Sequence, residues 1–308
     1  MRASKDRRPV RSLLLLSALA VSAAVCGIAG GALAQATKSS SASPVRIGAQ
    51  LSPSAAGIAP SVSSPCSGPS TTCSTAGITT PCKITGAGSY KLTANVSQSS
   101  KTLDGIEIAA DHVTLNLNGY RVIGPVNAGG STSTCVGINA CPSSTCHNDI
   151  TVMNGTVTAF GGSGVQVGGS GNGVADLVHH VRSISNGEGS SGGAGFSLGD
   201  SSIASNDISY CNGWEDITCS GTGSGDGLDC GANCVVINNA VGSNASDGIV
   251  TGNYGNIENN AVGNHLVGIA PGTDSGYGKN VVYTDSVADF GGAGTALCGN
   301  IATGTVYS

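Results

Sequence analysis

Apolar residues recur along this chain in short alternating runs: Ile106 and Ile108, then Val113, Leu115 and Leu117, then Val122. Gly, Asn or Asp breaks each run soon after it starts. Alternation of period two over so short a span predicts brief strands with one face buried. The runs also carry a longer period. Gly followed by an apolar residue recurs at Gly105-Ile106, Gly137-Ile138, Gly164-Val165, Gly195-Phe196, Gly227-Leu228, Gly248-Ile249 and Gly268-Ile269. The later intervals, from Gly227 onward, are the short ones, and the earlier ones are longer by up to half. "INNAVG" at 237–242 and "ENNAVG" at 258–263 repeat with the same spacing as Gly227 and Gly248. Self-similarity at a period of about 21 marks a solenoid. Short strands within it describe an all-β fold, a single-stranded right-handed parallel β-helix. The short intervals give the bare coil, about 21 residues, and the longer ones carry loop inserts. Eight to ten coils are expected between about Cys82 and Ile301.

Adjacent coils of such a helix stand roughly 4.8 Å apart, so inward Val, Ile, Leu and Ala stack on their counterparts. The core is a narrow column, which suits a chain with 4% aromatic residues and 49 glycines. Gly and Asn are expected at the bends, where they tolerate positive φ. A helical solenoid conflicts with segments this rich in Gly, Asn, Ser, Thr and Val. A β-sandwich would lack the regular self-similarity.

Residues 1–34 read as a secretory signal peptide. Arg2, Lys5, Arg7, Arg8 and Arg11 precede the apolar "LLLLSALAVSAAV", and "ALA" at 32–34 offers a small-residue cleavage site. No other stretch is apolar enough to span a bilayer, so no membrane insertion of the mature chain is expected. The whole chain has 13 Lys and Arg against 18 Asp and Glu. Removing the leader's five basic residues and one acidic residue leaves 8 against 17, a net charge of −9. Such a surface repels phosphate backbones and excludes nucleic acid as a direct partner. Residues 35–75 are rich in Ser, Ala, Thr and Pro without the repeat, and read as a linker, leaving 76–308 to the solenoid.

Export makes disulfides the default for the eleven cysteines that follow the leader. Eleven is odd, so one thiol is expected to be free or to pair between chains. The close groups Cys66/Cys73/Cys82, Cys135/Cys141/Cys146, Cys211/Cys219 and Cys230/Cys234 suggest local staples. The rival reading of Cys135, Cys141, Cys146 and His147 is a zinc site, although no CxxC pair sets its spacing.

Three segments carry a resemblance: "PCKITGAGSYKLTANV" at 81–96, "GIEIAADHVTLNLNGYRVIG" at 105–124 and "NDITVMNGTVTAFGGSGVQV" at 148–167. They resemble the opening coils of bacterial secreted right-handed parallel β-helix proteins, in the pectate-lyase-like superfamily with carbohydrate-binding and sugar-hydrolase type repeats. The resemblance covers about residues 81 to 300. It implies the fold and a polysaccharide-related role, and leaves the activity open. The hydrolase strings Asn-Thr-Asp, Asp-Asp, Gly-His-Gly and Arg-Ile-Lys do not occur. From Ser183 to Gly278 there is no Lys or Arg, against ten Asp or Glu, so an Arg-based elimination site has no base there.

Carboxylates must therefore carry any chemistry in the middle of the rod. Asp226 and Asp247 stand at the same place in successive coils, just before Gly-aliphatic, and stacking would bring them one rung apart. Such a pair shares a proton, binds a cation such as Ca²⁺, or serves as plain turn residues. Asp229 follows the inward Leu228 and should point outward. The coil ending at Gly227 is half as long again as its successor, and the excess falls in "CNGWEDITCSG" at 211–221. That insert holds the only Trp, Trp214, followed by Glu215 and Asp216, with Cys211 and Cys219 placed to close it. Indoles stack on the apolar faces of sugar rings, which makes these three candidate substrate-binding residues. His179 and His180 are adjacent on a strand and should face opposite sides, one outward and the other at a bend, so they should not share one metal. The Asn238/Asn239 and Asn259/Asn260 doublets should stack at a bend and hydrogen-bond along the rod.

The expectation is thus a secreted β-helix protein that binds polysaccharide or other extracellular partners along its flank, without catalysis. The alternative is a carbohydrate-active enzyme: a glycoside hydrolase using Asp226, Asp229 and Asp247, or, less favoured, a Ca²⁺-dependent lyase.

Overall fold

The computed structural model describes residues 66–125, 133–142, 145–169, 172–187, 192–214, 219–220, 223–283 and 285–302, all within one compact unit, Leu51–Ser308. Its strands are short, the longest being Ile150–Thr158, and every pairing between them is parallel. They form a nine-stranded sheet and a sixteen-stranded sheet. The chain is a right-handed parallel β-helix, the hand that crossovers between parallel strands adopt.

The Gly-apolar frame is the register of the nine-stranded sheet. Ile106, Ile138, Val165, Phe196, Leu228, Ile249 and Ile269 pair in unbroken succession. All seven are buried to 1% exposure or less. Cys82 extends the column at one end and Phe290 at the other. Nine rungs lie within the expected eight to ten coils.

The glycine of the frame has a different role from the one its composition suggests. None of the seven is among the left-handed residues of the chain. Each sits where rungs approach closely. A Cβ on Gly195 would stand 2.6 Å from the Gly227 carbonyl oxygen, and one on Gly227 equally close to that of Gly248. These carbonyls accept the ladder bonds from Phe196 and Leu228, at 3.1 and 2.9 Å. The left-handed positions go to other glycines, such as Gly119, Gly173 and Gly187, and to Asn and other residues with a Cβ: Asn154, His180, Asn206, Asn238, Asn259 and Lys279 have φ between 56° and 60°.

The sixteen-stranded sheet opens from two long strands, Ile150–Thr158 and Leu177–Ile184. Beyond them it continues as two limbs, one starting at Ile203–Ser205 and the other at Ile208–Tyr210. The bend at Asn206, and its equivalents Asn238 and Asn259 in later coils, separates the limbs. The second Asn of each doublet turns inward. Asn239 Nδ2 donates to Asn260 Oδ1, and Asn260 Nδ2 to Asn280 Oδ1, both at 3.0 Å. These amides also take up backbone groups at the bend, which would otherwise be buried without partners.

Five disulfides lie among the described residues. Cys73–Cys82, Cys141–Cys146, Cys211–Cys219 and Cys230–Cys234 are the local staples expected. Cys66–Cys135 is not local; its sequence separation is 69. The segment before Cys73 runs back over the first coils, where Ser67 bridges Leu103 and Thr72 bridges Lys83. Its sequence is linker-like, yet residues 66–75 already pair with the rod. The zinc reading is overturned, because Cys135 and Cys141 are bonded to other sulfurs and His147 is bound to Asp111. No free cysteine is found among the described residues. No described helix is long and apolar enough to cross a membrane.

Candidate functional site

Asp226 and Asp247 stack one rung apart, as their places in the repeat imply, but their carboxylates do not meet in open space. The Asp247 backbone N–H donates to Asp226 Oδ1 at 3.0 Å, and the Val267 N–H donates to Asp247 Oδ1 at 3.2 Å. Asp104, at the same place several coils earlier, accepts from the Val136 N–H at 2.8 Å. In each case the acid caps an amide of the following coil, as short polar side chains do at turns. Burial raises the pKa of both Asp226 and Asp247, and the amide bonds oppose the rise. The charge of Asp226 pushes Asp247 up further. Capping leaves at most one oxygen on each for a cation such as Ca²⁺.

Asp229 differs from both. It lies in the strand Leu228–Cys230 with its neighbours on either side buried in the core, so its side chain is on the outer face. Its carboxylate makes no hydrogen bond among the described residues. Its pKa is pushed up to about 7, first by burial and then by the charge of Asp226.

The register extends this outward position into a column. Lys83, Glu107, Asn139, Gln166, Ser197 and Asp229 are consecutive cross-rung partners on the nine-stranded sheet. Beyond Asp229 the column turns apolar, at Val250 and Ala270. Sequence reasoning placed Asp229 outward but not the other five. The signal was available, since the residue after each Gly-aliphatic pair is outward by alternation.

Part of the column serves the scaffold. Asn139 donates to Asp104 Oδ2 at 2.8 Å and accepts from the Cys141 N–H, while the Ser197 hydroxyl donates to the Gly168 carbonyl. The Gln166 side chain, like that of Asp229, makes no hydrogen bond among the described residues. At the N-terminal end, Lys83 Nζ stands 2.7 Å from Glu107 Oε1, and the Glu107 side chain is 3% exposed. Gly68 lies so close over that carboxylate that no Cβ would fit. This pair floors an open pocket of about 490 Å³, also lined by Ser67, Pro142 and His147. The His147 ring is held by Asp111 through Nδ1 at 3.0 Å.

Trp214 is half-buried, and its indole N–H donates to the Ser243 carbonyl of the next coil. Cys211–Cys219 closes the loop around it. Glu215 and Asp216 lie outside the described residues. His179 and His180 do not face opposite sides: their Nδ1 atoms are 3.0 Å apart. The left-handed φ of 56° at His180 breaks the alternation on which that expectation rested. Oxygen and sulfur atoms of Asp104, Cys66 and Cys135 cluster as metal ligands would. The two sulfurs are bonded to each other and both Asp104 oxygens already accept hydrogen bonds, so the cluster has nothing left for an ion.

No protein-family model matches the chain, and no curated protein matches it. Among solved structures, the chain is similar to the A-module of the mannuronan C-5 epimerase AlgE4 from Azotobacter vinelandii, at 14% identity and a TM-score of 0.38, over 73% of this chain and 69% of that one.

Proposed function

We propose that this protein is secreted and binds polysaccharide in a groove along the nine-stranded sheet, without catalysis. Gln166 and Asp229 carry the reading. They lie two rungs apart in one half-buried column, about 10 Å by the rung spacing. Neither side chain has a protein partner among the described residues to satisfy it. Half-buried polar groups are usually bonded, so free ones in a line invite a ligand with regularly spaced hydroxyls. The resemblance of the first coils to pectate-lyase-like repeats supports a sugar chain as that ligand. The five disulfides fit an oxidising, extracellular setting.

One observation favours a second reading. A carboxyl with a pKa of about 7 on a groove floor suits a general acid. In that reading Asp229 protonates a glycosidic oxygen, and the protein is a carboxylate-based glycoside hydrolase. Asp226 and Asp247 are poor partners for it, because the amides they cap hold them in the scaffold.

Affinity electrophoresis in neutral and acidic polysaccharides, with and without Ca²⁺, tests binding, and reducing-end release tests chemistry. The wild type is expected to be retarded, and Gln166→Ala/Asp229→Asn to lose about tenfold in affinity, as two hydrogen bonds to ligand imply. Asp226→Asn/Asp247→Asn keeps both capping oxygens and is expected to bind as wild type. No retardation in any polymer sinks the reading. Reducing ends released by wild type but not by Asp229→Asn would establish the hydrolase instead.

A further inference from the structure

The other sheet presents a face of opposite character. In its second limb the outward residues of successive coils are Ile208, Ala240, Ala261, Val281 and Ile301, paired in register and all exposed. Beside them runs a second column of Tyr210, Gly242, Gly263 and Tyr283. The first column begins beside a charge, since exposed Arg182 is the cross-rung partner of Ile208; from Ile208 and Tyr210 onward neither column carries a charged side chain.

Gly263 makes room for the Tyr283 ring, and Gly242 leaves the floor beside Tyr210 bare. A Cβ on Gly242 would stand 3.5 Å from Tyr210 Cδ2, and one on Gly263 would stand 2.6 Å from Tyr283 Cε2. Each ring therefore lies down over the glycine of the neighbouring rung, Tyr210 towards Gly242 and Tyr283 back towards Gly263. The two tyrosines lean towards each other across a floor without side chains, yet remain 46% and 40% exposed. Tyr210 and Tyr283 are three rungs apart, about 14 Å by the rung spacing. Trp214 borders the same floor, because its N–H is tied to Ser243, the residue after Gly242. Two exposed tyrosines thus share one strip, with Trp214 tied to the bend at its edge, in a protein with few aromatic residues.

We propose that this strip is a second binding face, separate from the groove, and takes an uncharged polysaccharide by stacking sugar rings on Tyr210 and Tyr283, with Trp214 at its edge. Pyranose rings present apolar C–H faces that suit aromatic surface. Between Ile208 and Ile301 the strip itself carries no cation, Arg182 standing one rung before it, and the acidic chain around it repels an acidic polymer. A contiguous apolar patch on an exported protein calls for an occupant. A neutral chain of rings matches both the missing charge and the flat, side-chain-free floor.

Depletion of the exported protein from solution by insoluble cellulose and chitin tests this, with soluble polygalacturonate as the acidic contrast. Wild type is expected to partition onto at least one neutral solid. Tyr210→Ala/Tyr283→Ala should cut that partition at least about tenfold, the scale of two lost stacking contacts. Tyr210→Phe/Tyr283→Phe should keep it, because the ring and not the hydroxyl does the binding. The groove variant Gln166→Ala/Asp229→Asn should also keep it. Neutral-polymer binding that survives in the alanine variant and is lost in the groove variant overturns the strip and leaves the groove. Wild type that binds polygalacturonate alone does the same. Self-association of wild type in sedimentation, abolished in the alanine variant, would make the strip an interface between copies and overturn the sugar reading.

Discussion

The coils up to Tyr210 and the coils from Gly227 onward share one core and differ in almost everything outside it. In the first region the intervals between frame residues are longer than in the second by up to half. The inward column is equally buried in both. The short interval therefore suffices to close a coil, and the surplus leaves the rod at its corners. The first region carries the Cys66–Cys135 and Cys141–Cys146 bridges and most of the polar column. In the bare coils that column turns apolar, at Val250 and Ala270. The buried bends of these coils are held by the Asn239–Asn260–Asn280 ladder, and their outer strip lies open. The polar column lies mostly in the decorated region and the open strip mostly in the bare one.

The comparison can be broken most forcefully at the long disulfide. Cys66→Ser/Cys135→Ser removes a cross-link with a sequence separation of 69, which chain entropy values at about 4 kcal/mol. Hydrogen exchange should show the loss in the coils before Tyr210, with little change after Gly227. Equal loosening of both regions would mean that the rod unfolds as one unit.

The ladder of the bare coils is the next test. Asn260→Ala strips acceptors from the Asn239 N–H and Nδ2 and a donor from the Val236 carbonyl, all buried. The expected loss is about 3 kcal/mol in denaturant unfolding. Asn148→Ala, in the decorated region, removes one exposed bond to the Val174 N–H and should cost less than about 1 kcal/mol. Equal costs would deny that the bare coils depend on their ladder.

A pH-dependent effect is expected where the regions meet. Asp207 heads the ladder: its N–H donates to Asn239 Oδ1, and its own Oδ1 accepts from the Val181 N–H. Its other oxygen is buried without a hydrogen bond among the described residues. Burial pushes its pKa up from 3.8 to about 7. The folded protein thus holds a proton that the unfolded chain releases, and this group's stabilising share is full below about pH 4. It is lost progressively as pH rises towards 7. Asp207→Asn should therefore raise Tm at pH 8 and leave it nearly unchanged at pH 4, flattening part of the profile. An unchanged slope would remove Asp207 from the account.

Much of the fold was legible because its cause is local and repeated. Gly before an aliphatic recurs because backbone meets backbone there in every coil, so the frame could be read as register before any strand was seen. The outward place of Asp229 followed from the same alternation. The roles of Asp226 and Asp247 were left open by spacing, because a cap and a catalytic pair need the same residue at the same interval. Only the direction of the next coil's N–H separates them. His180 sits at a bend, as expected of one of the pair, and its left-handed φ brings its ring beside that of His179 against the alternation rule. Cys66 defies grouping by sequence, because its partner Cys135 lies more than two coils further along the chain.

The sequence by itself determined the coil, its period, its inward column and the stacking of its Asn doublets, since each rests on a pattern repeated along one chain. The tertiary structure alone decided what lies side by side on the outside. The polar column and the tyrosine–glycine strip each join residues from four or more coils, separated by inserts of unequal length. Their adjacency is a property of the stacked rungs and of no segment taken singly.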